Sequence, residues 1–350
     1  MNQNEQEKTN QAVGKQTIRF ACPPAILSRA SIVGDMEGQG PLASYFDQIE
    51  PDPAFGMDSW EEGESEMVRR AVQTAITKSG IAKENIRYIF GGDLLGQLIG
   101  STFGLKDFQI PIFGLYGACS TCGEALSLAA MTVNAGYASH VIAVTSSHFG
   151  GAEKQFRFPL EYGNQRPLSS TWTVTGSGAF LVSATSPDQP MKEYPRITSV
   201  TTGKIVDYGV RDNMNMGACM APAAADVIYQ CLEDLAVKPS HFDKIITGDL
   251  GKVGSEILIK LLRDNDYDIE KQHMDCGVCI FDNEEQDTHS GGSGGAAVTL
   301  AGYILHQLES NEWKRVLFVP TGALLSTVSF NEGQTIPGVA HAVVIEHIDL

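Results

Sequence analysis

This chain contains the same succession of segments twice, once in each half. In both halves a short apolar run ends in Gly-Asp-Leu, a glycine-rich stretch opens a helical pattern, and two further apolar runs follow. Repetition of a whole set of strands and helices predicts two similar α/β halves that share one core and are related by a pseudo-twofold axis. The repeated segments are 86–95, 114–128, 141–145 and 176–183 in the first half and 244–251, 291–308, 315–319 and 338–346 in the second.

The two halves account for nearly all of the 350 residues, a length that suits two domains or two fused halves around one core. We predict an N-terminal half over 17–188 and a C-terminal half over 189–350, divided within a proline-rich link. Residues 1–16 are polar and have no apolar core, which indicates a disordered tail and not a signal peptide. The alternation of strand and helix patterns favours a parallel α/β class.

Charge and cysteine content narrow the possible partners and the compartment. The formal net charge of −17 argues against nucleic acid, because binding polyphosphate requires a basic surface. No apolar run reaches the roughly 18 residues that a membrane span requires, so no direct span is expected. The chain has seven cysteines, several of them in apolar surroundings, which favours a reducing, intracellular environment.

Cys119 lies in the most informative local pattern of the first half. The apolar run 110–115 ends at small residues and a helical pattern begins soon afterwards, so the sequence predicts a strand, a tight turn and a helix with the cysteine at the bend. Backbone N–H groups and the helix dipole can lower the pKa of such a thiol toward a nucleophilic thiolate. The same turn can hold an anionic ligand instead. Three roles stay open for Cys119: packing in the turn, lining a ligand pocket, and forming a covalent bond.

Two Cys-x-x-Cys pairs, Cys119 with Cys122 and Cys276 with Cys279, raise the question of a zinc or redox site. The pairs are much farther apart in the sequence than in a zinc ribbon, so no metal site is predicted. The aspartate that follows the first strand of each Gly-Asp-Leu repeat, Asp93 in one half and Asp249 in the other, is expected to cap the next turn.

Short motifs are spread over both halves, and together they are specific although each alone is weak. They are Gly-Gly-Asp-Leu-Leu at 91–95, Gly-Ala-Cys-Ser-Thr at 117–121, Thr-Ser-Ser-His at 145–148, Arg-Phe-Pro at 157–159, Glu-Tyr-Gly at 161–163, Gln-Arg-Pro at 165–167, Thr-Gly-Ser-Gly at 175–178, Met-Ala-Pro-Ala-Ala-Ala-Asp at 220–226, Gly-Asp-Leu at 248–250 and Pro-Thr-Gly-Ala-Leu-Leu-Ser at 320–326. This set resembles the stage V sporulation protein AD family, within the thiolase and ketoacyl-synthase superfamily. The resemblance covers about 16–348 and implies a five-layered αβαβα fold with a cysteine at the buried start of a helix.

The resemblance implies a binding protein and not an acyl-transfer enzyme. Members of the family look like components of the system that moves dipicolinic acid, with calcium, into the developing spore, and are taken to bind that acid in a pocket of the thiolase-like fold. The resemblance also implies a homodimer, a link to spore germination, and peripheral association with the inner spore membrane through other proteins of the same uptake system. It implies no cofactor, apart from Ca²⁺ carried by the ligand.

The residues themselves can be tested against acyl transfer, which needs His or Asn donors for the oxyanion as well as a thiolate. In the superfamily one such donor lies at the helix start where this chain has Gly291, and another follows the strand that here precedes Asp249. Glycine has no side-chain donor, and an aspartate that is ionised at neutral pH would repel the oxyanion. Cys119 is therefore predicted to be vestigial. The alternative is an acyltransferase of the thiolase type that uses Cys119, and the second alternative is a scaffold subunit of a membrane channel complex.

A dipicolinate pocket is expected to offer forked cationic donors and an aromatic face, because the ligand is a planar pyridine with two carboxylates. The stretch 154–166 is locally basic and aromatic. Its arginines could instead pair with Glu153 and Glu161 or bridge a dimer. For a calcium chelate, backbone N–H groups at Cys119 and in the 291–295 loop would carry more of the recognition. The predicted ligand-binding residues are Cys119, His148, Arg157, Tyr162, Arg166, Asp249, Gly291, Gly292 and Ser293.

Overall fold

The computed structural model describes residues 11–155, 169–185, 194–281, 290–291 and 293–347. A mixed sheet forms the centre of the first half. Its strands are β1 (Ala25–Gly34), β2 (Tyr88–Asp93), β3 (Ile112–Gly114), β4 (His140–Ser147) and β5 (Gly176–Ser183). They lie in the order β1-β5-β4-β2-β3, with β5 antiparallel to both neighbours and the remaining pairs parallel.

The second half repeats this sheet strand for strand. Its strands are β6 (Arg196–Thr201), β7 (Lys244–Thr247), β8 (His273–Asp275), β9 (Arg315–Val319) and β10 (Ala342–Glu346). Their order is β6-β10-β9-β7-β8, and β10 is antiparallel to both neighbours, as β5 is in the first half. The predicted two-half α/β fold is confirmed, but the parallel class was wrong because the closing strand of each half reverses direction. The sheets join where Arg196 pairs with Ala25.

Helices pack between the sheets and on their outer faces. They are α1 (Trp60–Ser79), α2 (Ile99–Leu105), α3 (Thr121–Asn134), α4 (Met216–Leu235), α5 (Gly251–Arg263) and α6 (Ser293–Thr299), the last continuing through a π turn (Leu300–Ile304) into Leu305–Glu309. Helices α3 and α6 share one buried apolar cluster with the inner faces of both sheets. Helices α1 and α2 cover the outer face of the first sheet, and α4 and α5 cover that of the second. The order of layers is therefore αβαβα, as predicted.

Local sequence explains where these elements begin and end. Helix α1 starts after Ser59, whose side chain accepts the N–H of Glu62, and it ends at Gly80, which has a φ of 66°. One of the predicted strands has exposed residues. The apolar run at 110–115 forms β3, but β3 is the edge strand of its sheet and all three of its residues are exposed.

Shorter α-helices and strands lie between and around these elements. They are the helices Asp35–Gly38, Phe149–Glu153, Cys276–Phe281 and Thr327–Asn331 and the strands Ala12–Val13, Thr17–Arg19, Gln48–Glu50, Trp172–Thr173, Ser290–Gly291, Thr321–Ala323 and Gly338–Ala340. Part of the predicted tail is held in place, because the N–H groups of Lys15 and Gln16 each donate to the Asp234 carboxylate at 2.9 Å. The predicted boundary at residue 188 lies outside the described residues. Within the described ranges, none of the helices combines the length and apolarity that crossing a bilayer requires.

Candidate functional site

Cys119 lies in a tight turn between β3 and α3, as the sequence predicted. Ala118 has a φ of 49°, a left-handed conformation that is unusual for a residue with a Cβ. Two hydroxyl groups hold the turn in this shape. The Ser120 hydroxyl donates to the Gly117 carbonyl at 2.7 Å, and the Thr121 hydroxyl donates to the Ala118 carbonyl at 2.7 Å. The turn therefore fixes the half-buried thiol at the N-terminal end of α3.

A hairpin from the second half packs against this turn. Its strands are Thr321–Ala323 and Gly338–Ala340. A Cβ on Gly322 would lie 2.2 Å from the Gly117 carbonyl oxygen, so only glycine permits this approach of the two backbones. The contact places Cys119 at the junction between the halves.

A cavity of about 80 Å³ lies above Cys119 at this junction. Its apolar walls come from both halves, with Leu95 on one side and Met216, Met220 and Leu325 on the other. Glu153 supplies a carboxylate to the wall, and it accepts hydrogen bonds from the backbone and side chain of a neighbouring threonine. Lysine and arginine are absent from the described lining. The described walls therefore suit a flat, apolar group better than a charged one.

Asp249 is fully buried, and neither of its carboxylate oxygens has a hydrogen-bond partner among the described residues. Burial, followed by repulsion from Asp275, raises the pKa of Asp249 well above its usual range. Burial therefore favours the protonated, neutral form of this carboxyl group. The expectation that an ionised Asp249 would repel an oxyanion took no account of this burial.

The two Gly-Asp-Leu aspartates differ in their bonding. Asp93 accepts the N–H of Leu95 at 3.1 Å and both the N–H and the hydroxyl of Ser101 at 2.9 Å, which confirms its predicted capping role. Asp249 caps nothing among the described residues. In the second half Asp275 takes this role and accepts four hydrogen bonds, including the N–H groups that open α5. The prediction of a cap was wrong for Asp249, since the next strand along the sheet supplies one.

The other predicted site residues do not all meet at the cavity. His148 is buried away from the described lining, where its Nε2 lies 2.6 Å from the Pro53 carbonyl oxygen and its Nδ1 accepts the N–H of Gly151. Gly291 is closer, because its strand pairs with Thr173, a wall residue. Ser293 begins α6. Four predicted residues lie outside the described residues: Arg157, Tyr162, Arg166 and Gly292.

A second space of about 440 Å³, here called the outer chamber, adjoins the Cys119 cavity through two shared wall residues, Leu95 and Leu325. Its lining is polar and acidic, with Glu61, Glu64 and Asp93 among the walls. Sequence patterns did not indicate this chamber, because these three acids come from two elements that lie far apart in the chain.

Several wall residues could have been found from the motifs, although the pattern reasoning did not select them. Leu95 belongs to the motif at 91–95, Met220 to that at 220–226 and Leu325 to that at 320–326. Asn213, also in the wall, belongs to none of them. Within the described ranges no three His, Cys, Asp or Glu side chains come together in a way that could hold a metal ion.

Two sheets of this topology around buried helices, with a cysteine at the start of the central helix, define the thiolase-like class of proteins. Solved structures of that class are similar in fold at low sequence identity. The 3-oxoacyl-[acyl-carrier-protein] synthase III of Aquifex aeolicus VF5 is 14% identical with a TM-score of 0.54, covering 92% of this chain and 99% of its own. The cerulenin-bound OleA of Xanthomonas campestris is 12% identical with a TM-score of 0.56, covering 96% of this chain and 98% of its own.

Closer similarity places the chain within this class. The family model for Stage V sporulation protein AD (SpoVAD) matches residues 14–346. The Stage V sporulation protein AD of Bacillus subtilis (strain 168) is 41% identical over 335 residues, which cover 95% of this chain and 97% of the relative. The chain therefore belongs to the stage V sporulation protein AD family and is a sporulation protein with a thiolase-like fold, which confirms the predicted family.

Proposed function

We propose that this protein binds dipicolinic acid in the cavity above Cys119, as a component of the apparatus that carries this acid into the developing spore. One observation carries the proposal. The turn at Cys119 borders a cavity, yet the second half has a glycine at Gly291, which offers no side-chain donor, where the superfamily has an oxyanion donor, and Asp249 does not line the described cavity. A pocket without that donor suits holding a ligand better than transferring an acyl group.

The proposed binding mode follows from the apolar lining of the cavity. The flat pyridine ring lies against Met216, Met220 and Leu325, which offer apolar contacts on its faces. The two carboxylates extend out of this apolar space, and Arg157 and Arg166 remain proposed partners for them. Calcium arrives with the ligand in this proposal, and the protein contributes no resident metal ion.

The proposal includes a homodimer that forms through β3. Among the described residues this edge strand pairs with a neighbouring strand on one side only, and Ile112 and Phe113 are 45% and 53% exposed. Antiparallel pairing of two such strands would continue the sheet across a twofold axis and cover these side chains. We further propose that the dimer works at the inner spore membrane, where other proteins of the uptake system hold it.

Calorimetric titration with dipicolinate, with and without calcium, tests the binding proposal. We expect wild-type protein and Cys119→Ala to bind, because no covalent bond to the thiol is needed, and Cys119→Phe to lose binding because the larger ring fills the cavity. Cys22→Phe is the matched control, since Cys22 is exposed and distant in the chain. No heat up to millimolar ligand would end the proposal. Acyl mass gained from an acyl-CoA by the wild type but not by Cys119→Ala would establish the acyltransferase alternative instead.

A further inference from the structure

Recognition of a carboxylate in the Cys119 cavity requires a hydrogen-bond donor in a wall that is mainly apolar. The charged side chain of the described wall is Glu153, which is itself an acid. Its Oε1 accepts the N–H and the hydroxyl of Thr173, so this threonine hydroxyl is already used. Asn213 contributes a side-chain amide to the same wall, and an amide donates two hydrogens without carrying a charge. The amide of Asn213 is therefore a candidate donor to an anionic ligand.

The turn that carries Asn213 is held together by its neighbours. It lies between β6 and α4 and leads directly into the helix. Asp212 accepts the N–H of Met214 through its side chain at 2.9 Å and the N–H of Asn215 through its carbonyl oxygen at 3.2 Å. The side chain of Asn215 in turn caps α4 by accepting the N–H of Ala218 at 3.2 Å. The side chains on both sides of Asn213 therefore shape the backbone, and the turn does not depend on the amide between them.

The side-chain amide of Asn213 makes no hydrogen bond within the described ranges, although the residue is half-buried in the cavity wall. Amide groups inside proteins are normally paired with protein, water or ligand. The backbone beside it is fixed from a second side, because the Ser169 hydroxyl donates to the Met214 carbonyl oxygen at 3.0 Å. A ligand that accepts from Asn213 therefore meets a donor on an ordered turn, and little further ordering is needed on binding.

We propose that Asn213 is a specificity-determining residue of the Cys119 cavity, which donates a hydrogen of its side-chain amide to a carboxylate oxygen of the bound ligand. The inference rests on the proposed function and names the residue that selects a carboxylate group. Met216 and Met220, on the helix that follows Asn213, hold the ring, so one stretch of chain supplies both the donor and an apolar wall. A hydrogen bond to an ionised acceptor is stronger than one between neutral groups. Because the amide is neutral, it does not repel a calcium ion that the ligand carries.

Calorimetric titration with dipicolinate and with the neutral diamide of dipicolinic acid tests the inference. We expect Asn213→Asp to lower the affinity for dipicolinate about 100-fold, because a like charge replaces a donor. Its affinity for the diamide should not fall, since the N–H groups of the diamide can donate to a carboxylate. Asn213→Leu, which removes the donor without adding charge, should bind dipicolinate about tenfold more weakly. Asn85→Asp adds the same charge at an exposed position of the first half and should behave as the wild type.

The two ligands separate recognition of the carboxylate from damage to the fold. If Asn213→Asp weakens dipicolinate and the diamide equally, or leaves dipicolinate unchanged, the role of Asn213 is overturned while the proposed function stands. Tighter binding of calcium dipicolinate by Asn213→Asp than by the wild type would mean that the side-chain oxygen coordinates the metal ion, which also overturns donation by the amide. If the wild type does not bind dipicolinate, the proposed function fails, and the inference fails with it. Loss of dipicolinate binding alone in Asn213→Asp supports both.

Discussion

Asp249→Asn should stabilise the protein at neutral pH, by an amount that grows with pH. An aspartate in the unfolded chain has a pKa near 3.8, whereas burial and the neighbouring Asp275 raise the pKa of Asp249 well above that value in the fold. Folding above pH 3.8 therefore requires the wild-type side chain to take up a proton, which costs about 1.4 kcal/mol for each pH unit. The difference in stability between the two proteins should therefore widen as the pH rises from 5 to 7. Asparagine has nearly the same shape and takes up no proton.

Urea unfolding at pH 5, 6 and 7 measures the free energy of unfolding for both proteins. Asp275, whose pKa burial raises to about 6, is present in both, so its own pH dependence cancels in the difference. Asp266→Asn is the control, because Asp266 is exposed and has a φ of 67° that asparagine also tolerates. A difference between wild type and Asp249→Asn that is the same at all three pH values would refute the reasoning, since it would mean that Asp249 is ionised in the fold.

Two further predictions concern the junction and the sheet edge. Gly322→Ala should lower the stability by about 1–3 kcal/mol, because its Cβ would meet the Gly117 carbonyl oxygen. Thermal unfolding measures this loss of stability. Gly151→Ala is the control, because a Cβ there has only ordinary contacts at 3.8 Å. A melting temperature of Gly322→Ala equal to that of the wild type would contradict the close approach of the two backbones. Phe113→Lys should convert a dimer to a monomer in light scattering, whereas Ile205→Lys, at a residue 66% exposed in the other half, should not. An unchanged mass for Phe113→Lys would exclude β3 as the interface.

The fold was predictable because its two halves repeat and each repeat carries its own turn signals. The strand that precedes Asp93 and the strand that precedes Asp249 were both found from short apolar runs. The antiparallel direction of β5 and β10 was not predictable from those runs, because apolar patterning specifies burial and not direction. Exposure of β3 was missed for a related reason, since an apolar run looks the same at the edge of a sheet as at its centre.

The sequence predicted the candidate site only where the residues that form it lie close together in the chain. Cys119 was found because its turn and helix lie within one stretch of the chain. The raised pKa of Glu64 in the outer chamber was missed because it depends on burial and on Asp93, which lies on a different element. The raised pKa of Asp249 was missed for the same reason: the sequence shows an acid, whereas the raised pKa follows from complete burial beside Asp275.

The difference between the two outer edge strands has a consequence for assembly. All three residues of β3 are exposed, whereas those of its counterpart β8 are half-buried or buried, and Asp275 at the end of β8 is bonded into the following turns. If both edges were open, a head-to-tail chain of sheets could grow without limit, as in a fibre. A dimer that pairs β3 with β3 would use up the exposed edge strand of each molecule, and the two copies of β8, with their less exposed side chains, would form the far ends of the joined sheet. Growth through β3 would then stop at two chains.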